Sequence, residues 1–175
     1  MLKKFYGKTL FQRDTKGRFQ IPSMFRDQIQ RVRPDYMVMT RGIGKSIYLF
    51  LPDIFDEFLN RIDNMSVSPM IRAQLNQSVV WSAANCTIDM QWRIRIPDDL
   101  AKMAGITTEV EILGGNKWIE LWHTDRRQQF IKKMSFDFDE AAWDLYYGVD
   151  AQSDEKIEQD DTLNNSQGKE SCQEE

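Results

Sequence analysis

Asp14-Thr15-Lys16-Gly17-Arg18-Phe19-Gln20-Ile21-Pro22 and Asp89-Met90-Gln91-Trp92-Arg93-Ile94-Arg95-Ile96-Pro97 read as one pattern written twice. Asp, Arg, Ile and Pro recur at the same internal spacing, 75 residues apart. The echo continues outward: Lys45, Ile47 and Leu49 match Lys117, Ile119 and Leu121, now 72 residues apart. A three-residue loop difference accounts for the slip. A repeat decides the architecture before any local reading. Two copies are too few for a solenoid, so the chain reads as a tandem duplication of one small unit with pseudo-twofold symmetry.

Within the first copy, residues 5–13 read as a strand and Thr15-Lys16-Gly17 as a turn. Gly17 supplies the positive φ that tight turns often need. Phe19 and Ile21 then alternate with Arg18 and Gln20, giving one apolar and one polar face. Pro22 ends the strand and suits the first turn of a short helix with Met24, Phe25 and Ile29 as its apolar stripe. Residues 36–40 and 46–51 are further strands around a Gly-containing hairpin loop, residues 41–45. Pro52 opens an amphipathic helix, with Phe55, Phe58, Leu59 and Ile62 at helical spacing. A second helix is expected over 70–84, with Ile71, Leu75 and Val79 in register.

The second copy repeats the plan. Residues 86–89 read as a strand, Ile94 and Ile96 point inward, and Arg93 and Arg95 share the opposite face. Pro97 starts a short helix that Gly105 ends. Strands over 110–113 and 117–122 flank Gly114-Gly115-Asn116, and a helix follows over about 125–134.

Composition sets the outer limits. The 175-residue chain has 41% hydrophobic residues, enough for a core, and no apolar run approaching the roughly 18 residues of a membrane span. Met1–Gly7 has basic residues but no apolar stretch behind them, so no signal peptide is expected. Cys86 and Cys172 are isolated, which argues against a disulfide or a zinc site. His123 is the only histidine, and any triad or imidazole metal site within the chain would have to use it. A non-enzyme without cofactor, metal or small-molecule substrate is the expectation. The net charge of −4 hides an asymmetry: +8 over residues 1–50, −1 over 51–134 and −11 over 135–175. A basic head suits a polyanionic partner, and an acidic, polar tail favours disorder.

A strand, an Asp-x-Lys-Gly-Arg turn, a strand ending in Ile-Pro and a short helix resemble the AbrB/SpoVT-type swapped-hairpin unit. Two such units in one short chain look like the MraZ family of bacterial transcription regulators. The resemblance covers roughly residues 3–134. Asp14, Lys16, Gly17, Arg18, Pro22, Phe25-Arg26 and Thr40-Arg41-Gly42 fit the first motif. The second keeps Asp89 and Arg93 but has Trp92 where glycine is expected.

The resemblance implies an α+β, β-rich fold of two interleaved units forming a pseudo-twofold, double-psi-like barrel with flanking helices. It divides the chain into a first unit at 3–65, a connecting helix at 66–84 and a second unit at 85–134. An acidic aromatic extension at 135–149, able to dock as a helix, and a disordered tail at 150–175 follow. It also implies a ring-shaped homo-oligomer that binds short repeated sites in double-stranded DNA, upstream of a cell-division and cell-wall gene cluster. A cytoplasmic, nucleoid-associated location follows, with no membrane partner. Asp14, Lys16, Arg18, Asp89 and Arg93 are then the DNA-facing residues.

The residues support that reading independently. Arg13, Lys16 and Arg18 cluster at one hairpin tip, and Arg93 and Arg95 at the other. Guanidinium groups grip phosphate bidentately and read guanine in the major groove, which admits a two-stranded ribbon. A plainer reading stands beside it: Asp14 with Arg18, and Asp89 with Arg93, pair only to brace their turns, and Trp92 only packs against a neighbouring hairpin. A different function class also stands, a ring-forming scaffold for a protein partner or an antitoxin-like protein. Salt separates the classes, since phosphate contacts weaken steeply as salt rises.

Overall fold

In the computed structural model, which describes residues 4–134, the sequence repeat becomes a repeated order of elements. The first run is β1 (Lys8–Gln12), β2 (Arg18–Gln20), α1 (Ser23–Val32), β3 (Met37–Arg41), β4 (Ile47–Phe50) and α2 (Pro52–Asp63). After α3 (Pro69–Ser82) the same order returns as β5 (Ala84–Cys86), β6 (Arg93–Arg95), α4 (Asp98–Ala104), β7 (Glu109–Gly114), β8 (Ile119–Trp122) and α5 (Thr124–Met134). All of these lie in one compact unit, Met1–Met134. The α+β, antiparallel character expected from the sequence holds.

Six strands form one sheet in the order β1-β7-β8-β4-β3-β5, and β2 pairs with β6 as a separate ribbon. If each strand is exchanged for its counterpart in the other run, the sheet order reads the same backwards. That palindrome is the pseudo-twofold axis. At its centre Ile47 faces Leu121 and Leu49 faces Ile119, so the residues of the outer echo pair with one another. Each run also lends its first strand to the other: β1 lies on β7, and β5 on β3.

Several expectations change. The sheet is open, with β1 and β5 as its edges, where a barrel was expected. The reason is that β2 and β6 bond to each other and not to the six-stranded sheet. The strand expected at 86–89 is shifted to Ala84–Cys86, and Ile88 makes only a single bridge to Ile94. The preceding helix stops early, at Ser82, whose hydroxyl donates back to carbonyl oxygens in its own last turn.

The core lies where alternation put it. Phe19 and Ile94 cover the inner face of the ribbon, and Ile21 and Ile96 are fully buried beneath it. Pro22 and Pro97 then turn the chain into α1 and α4. Gly105, at φ 71°, ends α4 in the left-handed conformation that glycine adopts without strain. Phe50, Phe55, Phe58 and Trp118 form an aromatic cluster where α2 meets the sheet. The helix stripes are narrower than expected. Met24 on α1 is half exposed, and on α3 only Val79 is buried while Ile71 and Leu75 face outward.

β1 begins at Lys8, later than residue 5, because Gly7 breaks the extended chain at φ 98°. His123 stands between β8 and α5, where its ring nitrogen accepts the backbone N–H of Asp125 at 3.2 Å. No helix among the described residues is long and apolar enough to cross a membrane. The docking helix expected near 135–149, the disorder expected over 150–175, and Cys172 all lie outside the described residues.

Candidate nucleic-acid interface

The two Asp-x-x-x-Arg segments fold into the same turn. Asp14 Oδ1 accepts the backbone N–H of Lys16 at 3.0 Å and of Arg18 at 2.8 Å, and Oδ2 accepts Arg18 Nε at 2.9 Å. Asp89 Oδ1 accepts the N–H of Gln91 and of Arg93, both at 2.9 Å, and Oδ2 accepts Arg93 Nε at 2.8 Å. A short side chain with an acceptor oxygen can close back onto its own backbone two and four residues on, and a carboxylate adds a second charged oxygen for the guanidinium. These bonds favour the charged carboxylate. The backbone bond from Arg18 is the largest cause holding Asp14 below the usual aspartate value, and that from Arg93 does the same for Asp89.

The turns leave opposite ends of the β2–β6 ribbon. Arg18 faces Arg95, Phe19 faces Ile94, and Gln20 faces Arg93. The starting residues Arg18 and Arg93 are therefore about two residue steps apart, roughly 7 Å. Reciprocal bonds lock the ends: Ile21 N–H donates to Trp92 O at 2.8 Å, and Ile96 N–H to Gly17 O at 3.1 Å. Arg18 Nη1 also reaches Asp89 Oδ2 at 3.5 Å, so the two clusters join. The outer face of the ribbon thus presents Arg18, Gln20, Arg93 and Arg95 together.

The guanidinium groups on this face differ in what they have left to offer. Arg18 has Nε and Nη2 on Asp14 and Nη1 on Asp89. Arg93 has only Nε on its carboxylate, and its two Nη groups have no protein partner among the described residues. Arg95 is exposed and touches Asp98 at 3.0 Å through one nitrogen. Lys16 is exposed at its tip. Arg13 lies apart from the others. Its side chain is only 14% exposed, bonds to Ile106 O at 3.3 Å and to Asp98 at 3.6 Å, and covers Gly17. Its guanidinium braces the first turn from inside and is not displayed on the tip.

Trp92 occupies the position of Gly17 and shares its left-handed backbone, with φ 60° against 77°. Its indole is partly buried against the core, and the Arg26 guanidinium lies 5.7 Å from the ring centroid. Arg26 in turn donates to Ile21 O at 2.9 Å. Gln20 was legible in the sequence as part of the polar face but was not singled out. The second tip, Met90-Gln91, carried no charge to draw attention.

Four cations, Lys16, Arg18, Arg93 and Arg95, share the face with three carboxylates, Asp14, Asp89 and Asp98, which leaves it weakly positive. Among the described residues, no group of three or more His, Cys, Asp or Glu is placed to hold a metal ion. Cys86 is buried, and burial pushes its thiol up to about 11.

A family model described as "MraZ protein, putative antitoxin-like" matches residues 80–147. The chain is 32% identical over 133 residues to a protein of Treponema denticola named "Transcriptional regulator MraZ", an alignment that spans 74% of this chain and 88% of that protein. Identity at that level, across most of both chains, means that this chain belongs to the MraZ family.

Proposed function

We propose that the protein is a sequence-specific DNA-binding transcription regulator, without catalytic activity, whose interface is the outer face of the β2–β6 ribbon with its two turn tips. The single observation behind this reading is the convergence of both Asp-x-x-x-Arg clusters, joined at 3.5 Å, on one exposed surface. Carboxylates that hold guanidinium groups at fixed angles pre-order them for phosphate or guanine, so less side-chain entropy is lost on binding. Lys16, Arg93 and Arg95 make the contacts. Asp14, Asp89 and Arg18 hold the frame, and Arg13 supports it from below. The two runs, 3–65 and 85–134 joined through 66–84, act as swapped-hairpin units, a reading supported by the exchange of β1 and β5 between them.

A face that is only weakly positive displaces few counterions, so one chain alone binds DNA weakly. Repetition of the face around a ring of identical subunits overcomes this through avidity on repeated sites. Self-association is supported by α3, which leaves Trp81 78% and Met70 71% exposed. By resemblance, the target is the promoter of a cell-division and cell-wall gene cluster, and the location is the cytoplasm and nucleoid.

The test is fluorescence anisotropy with DNA from upstream of the protein's own gene, over a salt titration. Affinity of the assembled ring, which sums the contacts of several faces, is expected to fall steeply with salt, and Arg93→Ala to weaken specific binding by about 1–3 kcal/mol. Unchanged affinity in a folded, assembled Arg93→Ala protein would refute the assignment. Salt-insensitive binding to a protein partner would favour the scaffold or antitoxin-like reading instead.

A further inference from the structure

The two tips are twins in backbone and opposites in chemistry. Thr15 and Lys16 stand at the first tip, and Met90 and Gln91 take the same places at the second. Asp14 Oδ1 binds the N–H of Lys16, and Asp89 Oδ1 binds the N–H of Gln91, so the two side chains spring from equivalent positions. Met90 is 100% exposed. The Gln91 backbone is tied on both sides, its N–H to Asp89 and its carbonyl to Gln20 at 3.4 Å. Its side-chain amide has no partner among the described residues. A rigid turn therefore holds out one thioether and one free carboxamide.

We infer that the two tips divide the recognition of DNA, with Lys16 serving phosphate or guanine and Met90-Gln91 reading an A·T pair in the major groove. The inference rests on the DNA-binding reading of this surface and assigns specificity within it. The chemistry follows from what each edge offers. Adenine shows an acceptor at N7 and a donor at N6, which a carboxamide matches with two hydrogen bonds. Thymine shows a C5 methyl, which an apolar group contacts favourably. An uncharged tip gains little from phosphate, because it displaces no counterion. A fully exposed methionine on a tied turn has the reach and the polarizable surface to cover a methyl group.

The experiment uses the full-length protein, a duplex selected by the wild type from a random library, and a scrambled duplex of the same composition. Gln91→Ala is expected to lose roughly 5- to 150-fold on the selected duplex. Met90→Ser is expected to lose about fourfold, the worth of one buried methyl-sized group. Neither should change affinity for the scrambled duplex or the slope against salt. Replacing thymine by deoxyuridine in the selected duplex should cost the wild type a similar factor and cost Met90→Ser nothing further. Equal losses on both duplexes, or no loss on either, overturn the division of labour while leaving DNA binding intact. A wild type that selects no duplex at all overturns the DNA-binding reading itself.

Discussion

Asp14 and Asp89 show how far one side chain can organise a turn. Each gathers two backbone N–H groups and a guanidinium, and each is held below its ordinary value of 3.8. A depressed folded value means stability that is present above about pH 4 and is lost as pH falls through the lowered value. The wild type should therefore weaken progressively below 3.8. Asp14→Asn and Asp89→Asn should be weaker near neutrality and show a flatter acid limb. Urea midpoints across the acid range test this, and an unchanged acid limb in the double variant would show that the turns contribute nothing to it. The fourth position of each turn is constrained differently. Gly17→Val forces a β-branched residue to φ 77° and should cost roughly 1–2 kcal/mol. Trp92→Gly and Trp92→Val both lose the indole packing, but only the first relieves the left-handed strain. The Gly variant should be more stable than the Val variant by about 1 kcal/mol, and equal urea midpoints would show that φ is not limiting there. The Asp–Arg spacing was legible in the sequence. The left-handed tryptophan was visible only as a departure from the expected glycine.

At the level of elements, the polar face of the ribbon was legible because a strand alternates with period two whatever lies around it. Arg18 and Gln20 follow that rule, as do Arg93 and Arg95. Strand ends were less legible, since they depend on contacts far along the chain. β7 ends at Gly114, where an added Cβ would run into the backbone of Phe5 and Tyr6. The N-terminal segment crosses there through a bond from Gly114 N–H to Gly7 O at 2.8 Å, and Phe5 bridges Asn116. Gly114→Ala should push that segment off the sheet edge and destabilise the protein by about 1–3 kcal/mol, the usual cost of overpacking. Hydrogen exchange at Phe5 and Asn116 reports the loss. Wild-type protection in the variant would mean that the crossing has room to yield.

For the whole molecule, the palindromic sheet explains why a duplicated sequence folds as one unit. Neither run completes its own sheet, because each first strand finds its partner in the other run. The connector α3 has no counterpart among the described residues, and apart from the buried Val79 it leaves its large apolar side chains outward. If that helix joins subunits, Trp81→Lys should shift the assembly toward smaller species in sedimentation while leaving the circular dichroism of the fold unchanged. It should also weaken DNA binding more than it weakens folding, because avidity is lost. An assembly of wild-type size would place the subunit contact elsewhere.

The sequence by itself determined the duplication, the two turns, the polar ribbon face and the proline-started helices. The duplication shows by comparing two stretches of the chain, and the others depend on spacing and backbone preference within a few residues. The tertiary structure alone decided which cations are free. Arg13 and Arg18 looked alike beside Lys16 in the chain, yet Arg13 is folded over Gly17 toward Ile106, and Arg18 meets Asp89 from 71 residues away. It also decided that β2 and β6 pair with each other and leave the main sheet open. The physical reason is that a guanidinium or a strand edge takes its partner from whatever the fold brings within hydrogen-bonding or ion-pair reach. No local pattern encodes that neighbour.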